Sequence, residues 1–392
     1  MNFINKIIPM KDVTLKSLLE FKKTPLNIVV FLITLGLVGI YGFGVTEFLK
    51  HSHEAYNTTR EHPWGFLVSA YEFFVALSMG TIAIASSAIF FNIQALKPLI
   101  TRMLVFGLLA LIAGFSVFLF EIGHPITMVI YTALSGHPTS ALFWLGVFYP
   151  LTMLFTALTY IAHIRGKDSK FFSMMTLIFA NSSILTAGSI FGLLNDNAFA
   201  TGIFYQIEFI ASGILGGIFL FSIIAKFFIT TEKFKKGVLF LKSASIALIS
   251  LLLIMYLVKF LQALYGDVPG KIEVVEHIFA SPRFWLFEVL LGLLFPLVVA
   301  IWGSKEKIGI FCLASVFGLI GLMAARINVV EAVQIVPKQL MKITEYQVPP
   351  SIIKYTPSIT EWSIGLGSIG VFILLIYLAE SILKLDEQNI EQ

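Results

Sequence analysis

Apolar runs of about twenty residues recur along most of the chain, each broken by a short polar or Gly/Pro-bearing stretch. At 1.5 Å rise per residue, a run of that length crosses the hydrocarbon of a bilayer as one helix. The pattern predicts ten spans, at residues 28–49, 64–92, 100–121, 140–163, 171–194, 202–228, 240–264, 283–302, 308–326 and 359–383. The period-two alternation of a transmembrane barrel is missing. The chain therefore reads as an all-α polytopic membrane protein, since backbone polar groups in lipid must be paired within each span.

Polar punctuation divides it further. Residues 1–27 read as an amphipathic segment lying on the membrane, and 28–63 as the first span with its loop. Residues 64–194 and 195–326 hold four spans each. A long loop over 327–358 carries Pro337, Pro349, Pro350 and Pro357, and 359–392 holds the last span and a tail. The stretch between spans 3 and 4, interrupted by Gly123, Pro125, Gly136 and Pro138, predicts a short interfacial helix.

Two local patterns recur in order. Span 2 reads EFFVALSMG from Glu72 to Gly80, and span 6 reads EFIASGILG from Glu208 to Gly216. Span 4 contains LGVFYPL from Leu145 to Leu151, and span 8 contains LGLLFPL from Leu291 to Leu297. Both pairs fit two repeated four-helix bundles (transmembrane helices 2–5 and 6–9), flanked by transmembrane helices 1 and 10. Chance matching in apolar sequence is the bland alternative.

Charge sets a direction. Of 27 Lys and Arg, 18 fall in the N-terminal segment, the C-terminal tail and the loops after spans 2, 4, 6 and 8; only seven fall in the other loops. The positive-inside rule then places both termini in the cytoplasm. The net charge of +4 follows from that asymmetry and does not call for nucleic acid. A single cysteine, Cys312, excludes an iron–sulfur cluster or a Cys-rich metal site built by this chain alone. All seven histidines lie in loops or at span ends, so the buried axial pairs of a membrane haem are absent. A metal site from His51, His53 and His62 competes with an ordinary polar loop. No Ser-His-Asp pattern, P-loop or dinucleotide fingerprint occurs.

The remaining chemistry is intramembrane. Glu72, Glu208 and Glu288 each lie about 8–12 Å below the outer surface on this topology. Lys259 and Arg326 fall near the same level, with Asn328, Glu331 and Gln334 following, and Glu121, His124 and Glu361 close by. The inner half offers Asn181, Ser182 and Ser183 and is expected to hold no acid within a span. An ionised carboxylate in hydrocarbon must pair, meet water, or stay protonated. Interhelical ion pairs with Lys259 or Arg326 are one reading. Proton handling is the other, and it is favoured for Glu72, which has no basic residue on its own helix.

Several stretches taken in order resemble the NrfD/PsrC family, membrane subunits of polysulfide reductases, [NiFe] hydrogenases and related respiratory complexes. They are Pro63-Trp64-Gly65, Gly123-His124-Pro125, SALFWLGVFYP from Ser140, SPRFWLFEVLLGLLFP from Ser281, ARINVVEAVQIVP from Ala325, and YTPSITEW from Tyr355. His124 stands where that family commonly has Arg, and the fifth span has no His. The resemblance implies a haem-free, cluster-free subunit of the bacterial inner (cytoplasmic) membrane. It would bind menaquinone or ubiquinone and exchange electrons with an extracytoplasmic ferredoxin-like iron–sulfur subunit. A catalytic subunit of hydrogenase or molybdoenzyme type would complete the complex. On that reading Glu72 is the proton donor or acceptor, with Tyr71 and His124 as hydrogen-bond candidates and Tyr71 and Trp144 among the aromatics that would sandwich the ring. Glu208, Glu288, Lys259 and Arg326 then form a second polar cluster. The rival is a non-redox transporter or ion-translocating module, which repeated bundles with buried acids also suit.

Overall fold

The computed structural model describes residues 25–336 and 353–385, apart from short breaks at 135, 195–196, 229–231, 267, 269, 304–307 and 384. Of the amphipathic segment expected over 1–27, residues 1–24 lie outside the described residues, as do Pro337, Pro349 and Pro350. Among the described residues twelve helices of eight or more residues follow in order: α1 Pro25–His51, α2 Phe66–Phe90, α3 Ile100–Glu121, α4 Pro125–Leu134, α5 Ala141–Ile164, α6 Lys170–Gly192, α7 Phe204–Phe228, α8 Glu232–Tyr265, α9 Lys271–Ala280, α10 Arg283–Trp302, α11 Ile308–Ala332 and α12 Ile359–Ile382. All but α4 and α9 are long and apolar enough to cross a membrane, which gives the ten expected spans. The short helix expected between spans 3 and 4 is α4. α9 was not expected, and α11 continues to Ala332 rather than ending at 326, which brings Asn328 and Glu331 into the helix.

Local chemistry places the ends. Asn92 takes a left-handed conformation after α2, and the Ile93 N–H returns to the Ala88 carbonyl at 2.8 Å. Gly166 does the same after α5, with Lys167 bonded back to Ala162. Both are the six-to-one closure that satisfies the last carbonyls of a helix. α12 opens on a capping box between Ser358 and Glu361. The first part of α10, Arg283–Leu294, winds as a π-helix and ends just before Pro296. Proline has no N–H to return to the carbonyl four residues back, and a wider turn relieves that defect. Pro150, its counterpart in sequence, sits inside an ordinary α-helix.

Lipid tails are as apolar as leucine, so helices in a bilayer associate through close packing rather than water exclusion. α2 and α7 form the centre: 83% and 78% of their most apolar windows are buried, against 11% for α1. They cross where Gly80 meets Gly213 and Gly217; a methyl on Gly80 would overlap the Gly213 carbonyl. Gly292 and Gly321 bring α10 and α11 together in the same way. α3 and α6 flank α2, and α8 and α11 flank α7. α1 pairs with α12, where Gly367 and Gly370 receive Tyr41 and Leu37. The bundle has two ends, called below the Trp64 end, where α2 begins, and the Arg102 end, where α3 begins.

Candidate functional site: a buried polar band

Glu208 and Arg326 face each other between α7 and α11. Arg326 Nη1 donates to Glu208 Oε2 at 2.7 Å, and both side chains are almost fully buried. Its Nη2 donates to Ser212 Oγ, one turn along α7, and the guanidinium lies 3.8 Å from the Phe209 ring centroid. One cation thus collects a carboxylate, a hydroxyl and an aromatic face, the set that makes a buried charge tolerable. The ion-pair reading holds for this acid. The second oxygen, Glu208 Oε1, is buried with no hydrogen-bond partner among the described residues.

Glu288, on the π-helical part of α10, accepts from Asn328 Nδ2. Asn328 Oδ1 in turn accepts from Arg283 Nε at 2.6 Å. Arg283 pairs with Glu331, and Glu331 Oε1 sits 2.9 Å from His277 Nε2 on α9. A polar chain therefore joins buried Glu288 to half-buried His277. Lys259 is held by aromatic faces instead. Its ammonium sits 3.8–4.3 Å from the ring centroids of Phe199, Phe204 and Tyr205, a cage of three rings.

Glu72 differs from the other two acids. It is 1% exposed and has neither the ion pair of Glu208 nor the side-chain hydrogen bond of Glu288 among the described residues, and its Oε2 is buried without a partner there. Arg326 acts on it electrostatically, yet gives its direct contact to Glu208. Within its electrostatic reach, the hydroxyls of Tyr71 and Tyr149 are 2.9 Å apart and both residues are buried. The Tyr71 ring stacks on Phe118, with centroids 4.1 Å apart. His124 is exposed before α4, and Trp144 is exposed on α5, with its Nε1 donating to the Pro138 carbonyl at 2.8 Å. The structure joins Tyr71 to Tyr149 and leaves His124 and Trp144 at the periphery.

A knot of polar contacts closes the Trp64 end above this band. The Gln334 side chain clamps the backbone of Trp64 through its N–H at 2.8 Å and its carbonyl at 3.0 Å. Glu121 accepts from Gly65 N, and Glu361 accepts from Asn57 N, Ser358 N and the Tyr355 hydroxyl. Glu121 and Glu361 are thereby tied to backbone at helix ends. His62 is 1% exposed and stacks flat on Tyr355, with neither ring nitrogen hydrogen-bonded among the described residues. Burial holds its pKa below the usual imidazole value. Among the described residues no three metal-ligating side chains gather, and the His53 ring is taken up by the Glu121 carbonyl.

The expectation of no acid in the opposite half is wrong. Glu380 lies within α12 at the Arg102 end, and Arg102 grips both its oxygens, at 2.6 and 3.2 Å. In sequence Arg102 looks like a loop charge; in the fold it is 3% exposed and also donates to the Leu385 carbonyl. Tyr149, Ser212, Arg283 and His277 also join the band without standing out in the sequence. Arg283 alone carries a signal there, as a cation inside the SPRFW stretch.

Fold and band define a polytopic integral membrane protein whose acids and cations meet on facing helices, one acid having no partner among the described residues. The chain belongs to the polysulphide reductase NrfD family, whose sequence profile it matches over residues 54–338. That match takes in α2 to α11 and leaves α1 and α12 outside. It is 23% identical to a selenate reductase subunit of Mesobacillus selenatarsenatis, over 90% of this chain and 92% of the relative. It is 22% identical to an Hdr-like menaquinol oxidoreductase integral membrane subunit of Archaeoglobus fulgidus, over 91% and 94%.

Proposed function

We propose that this chain is the quinone-interacting membrane subunit of a respiratory oxidoreductase, exchanging electrons between membrane menaquinone and an iron–sulfur subunit docked at the Trp64 end. The observation that carries the reading is Glu72, a buried carboxyl with neither ion pair nor hydrogen bond among the described residues, within electrostatic reach of the Tyr71–Tyr149 hydroxyl pair. A buried polar atom without a partner is costly and marks a place where a ligand group or proton belongs. The Archaeoglobus relative is named for menaquinol, which supports the choice of ligand. The Trp64 end faces away from the cytoplasm on the Lys/Arg asymmetry, which puts the termini inside. A hydrogenase- or molybdoenzyme-type catalytic subunit completes the complex, and α2–α6 and α7–α11 are read as the two repeated bundles of this chain.

A bound quinol gives up two electrons and two protons on oxidation, and the quinone takes up both on reduction. Glu72 accepts or returns a proton at its free oxygen, the role of a general base or acid held at hydrogen-bonding reach. Tyr71 and Tyr149 share one hydrogen bond, so each hydroxyl keeps capacity to orient a carbonyl or pass a proton. Arg326 stays neutralised by Glu208 and stabilises negative charge on Glu72. Purification from the native membrane tests the reading. The expected result is a copurifying iron–sulfur protein and saturable menaquinone binding to the complex. A non-redox transporter would show neither.

A further inference from the structure

A long apolar groove of about 990 Å³ lies between α11 and α12. The two helices do not pack along each other: α12 rests on α1, α3 and α2, and α11 on α7, α10 and α2. The gap is floored by Phe73, Phe74 and Leu77 of α2 and by Leu220 and Ile224 of α7. Its walls are the Val316–Ile327 face of α11 and the Trp362–Ile376 face of α12. It runs the depth of the bundle, from Arg283, Pro357 and Trp362 at the Trp64 end to Arg102 and Glu380 at the other.

Three observations select an occupant. The groove passes the level of the proposed site. The contact is one of depth: Glu72 and Arg326 do not line the groove themselves, but Phe73 and Ile327, the next residues on their helices, do. Its lining is mostly aliphatic and phenyl carbon along its whole length, which suits one long hydrocarbon chain. Both cations on it are already neutralised, Arg102 by Glu380 and Arg283 by Glu331. An anionic phospholipid headgroup finds no uncompensated charge among the described lining residues, whereas a neutral ligand loses nothing there. We propose that the α11–α12 groove seats the polyprenyl tail of the quinone and is its lateral route from the bilayer to the Glu72–Arg326 level. The proposal rests on the quinone reading above and adds a second element of recognition, built from α12, which lies outside the matched family region.

The test is equilibrium binding to the full chain in nanodiscs of neutral phospholipid, using menaquinone with a long polyprenyl tail and menadione, a tail-less ring. Ile320→Trp and Leu366→Trp fill the groove from exposed positions on its rim, and Leu154→Trp on α5 is the lipid-facing control. The expected result is at least a tenfold loss of long-tail affinity in both groove variants. Menadione affinity should stay unchanged throughout, which also reports an intact fold, and the control should match wild type. Unchanged long-tail affinity in the groove variants overturns the proposal. So does loss of a copurified phospholipid from those variants with quinone affinity intact. If the variants lose menadione as well, competition on wild type decides: a ring-less polyprenol displaces long-tail menaquinone if the groove seats the tail, and fails to displace it otherwise. A wild type that binds neither quinone refutes the functional reading itself, a separate outcome.

Discussion

Glu72 and Glu208 each open a Glu-Phe pair with a Gly eight residues on, in α2 and α7, yet their substitution by glutamine has opposite expected effects. Glu208→Gln removes the charge that meets Arg326 at 2.7 Å, where the two side chains are only 1% and 3% exposed. Ser212 and the Phe209 ring remain but do not neutralise the guanidinium. Stripping one partner from a buried pair costs about 3–5 kcal/mol. Glu72→Gln breaks no ion pair and keeps the volume. Its cost is that of seating an amide with new donors, about 1 kcal/mol. At roughly 2–4 °C per kcal/mol, Glu208→Gln should melt on the order of 10 °C below Glu72→Gln in the same detergent. Turnover should run the other way. A positioned acid or base contributes about 10²–10⁴-fold, so Glu72→Gln should assemble normally and lose at least about a hundredfold of quinone-linked activity. The assays are a melting curve of the purified chain and quinol-coupled turnover of the assembled complex. Full turnover in a well-assembled Glu72→Gln complex, or a Glu208→Gln chain as stable as wild type, would refute the division of labour.

At the Arg102 end, Arg102→Ala takes from the partly buried Glu380 its bidentate partner. The expected loss is about 3 kcal/mol, read as a lower melting temperature that Glu380→Gln partly restores. Gly80→Leu drives a side chain into the Gly213 carbonyl where α2 and α7 cross. A loss well above the about 1–3 kcal/mol of ordinary overpacking is expected, seen as failure to recover folded protein, whereas Gly36→Leu on open α1 surface should fold. His62 is held neutral in the folded chain, below the usual value of about 6.5. The unfolded chain binds the extra proton, so the stability from neutral His62 is full above about pH 6.5 and is lost as pH falls below it. Melting curves from pH 8 to 5 should show a shallower acid decline for His62→Phe; identical slopes would remove His62 as the cause.

The spans were legible because bilayer thickness imposes a length and an apolar composition that survive without any knowledge of neighbours. Position within the bundle was not. α1 and α2 have mean hydropathies of 2.4 and 2.0, yet α1 is the least buried span and α2 the most. Lipid and protein interior are equally apolar, so composition does not separate them. The polar level was visible through Glu72, Glu208, Glu288 and Arg326, but not which acid Arg326 would take. That choice depends on helix rotation at the Gly80–Gly213 crossing. Arg102 and Glu380 are 278 residues apart and share no local pattern. Tyr149 was hidden among fourteen per cent aromatic residues until the packing of α3 and α5 set it against Tyr71.

The α1–α12 pair has a consequence in time. A ribosome makes α1 first among the described helices and α12 last, and contacts such as Phe31 with Tyr377, whose ring centroids are 5.6 Å apart, join the two ends of the described chain. Until α12 emerges, α1 floats in the lipid with little to hold it, while the α2–α7 core is already able to close. The finished clasp therefore forms only once the chain has been translated through its last described span, so the first described helix is among the last to be locked in place.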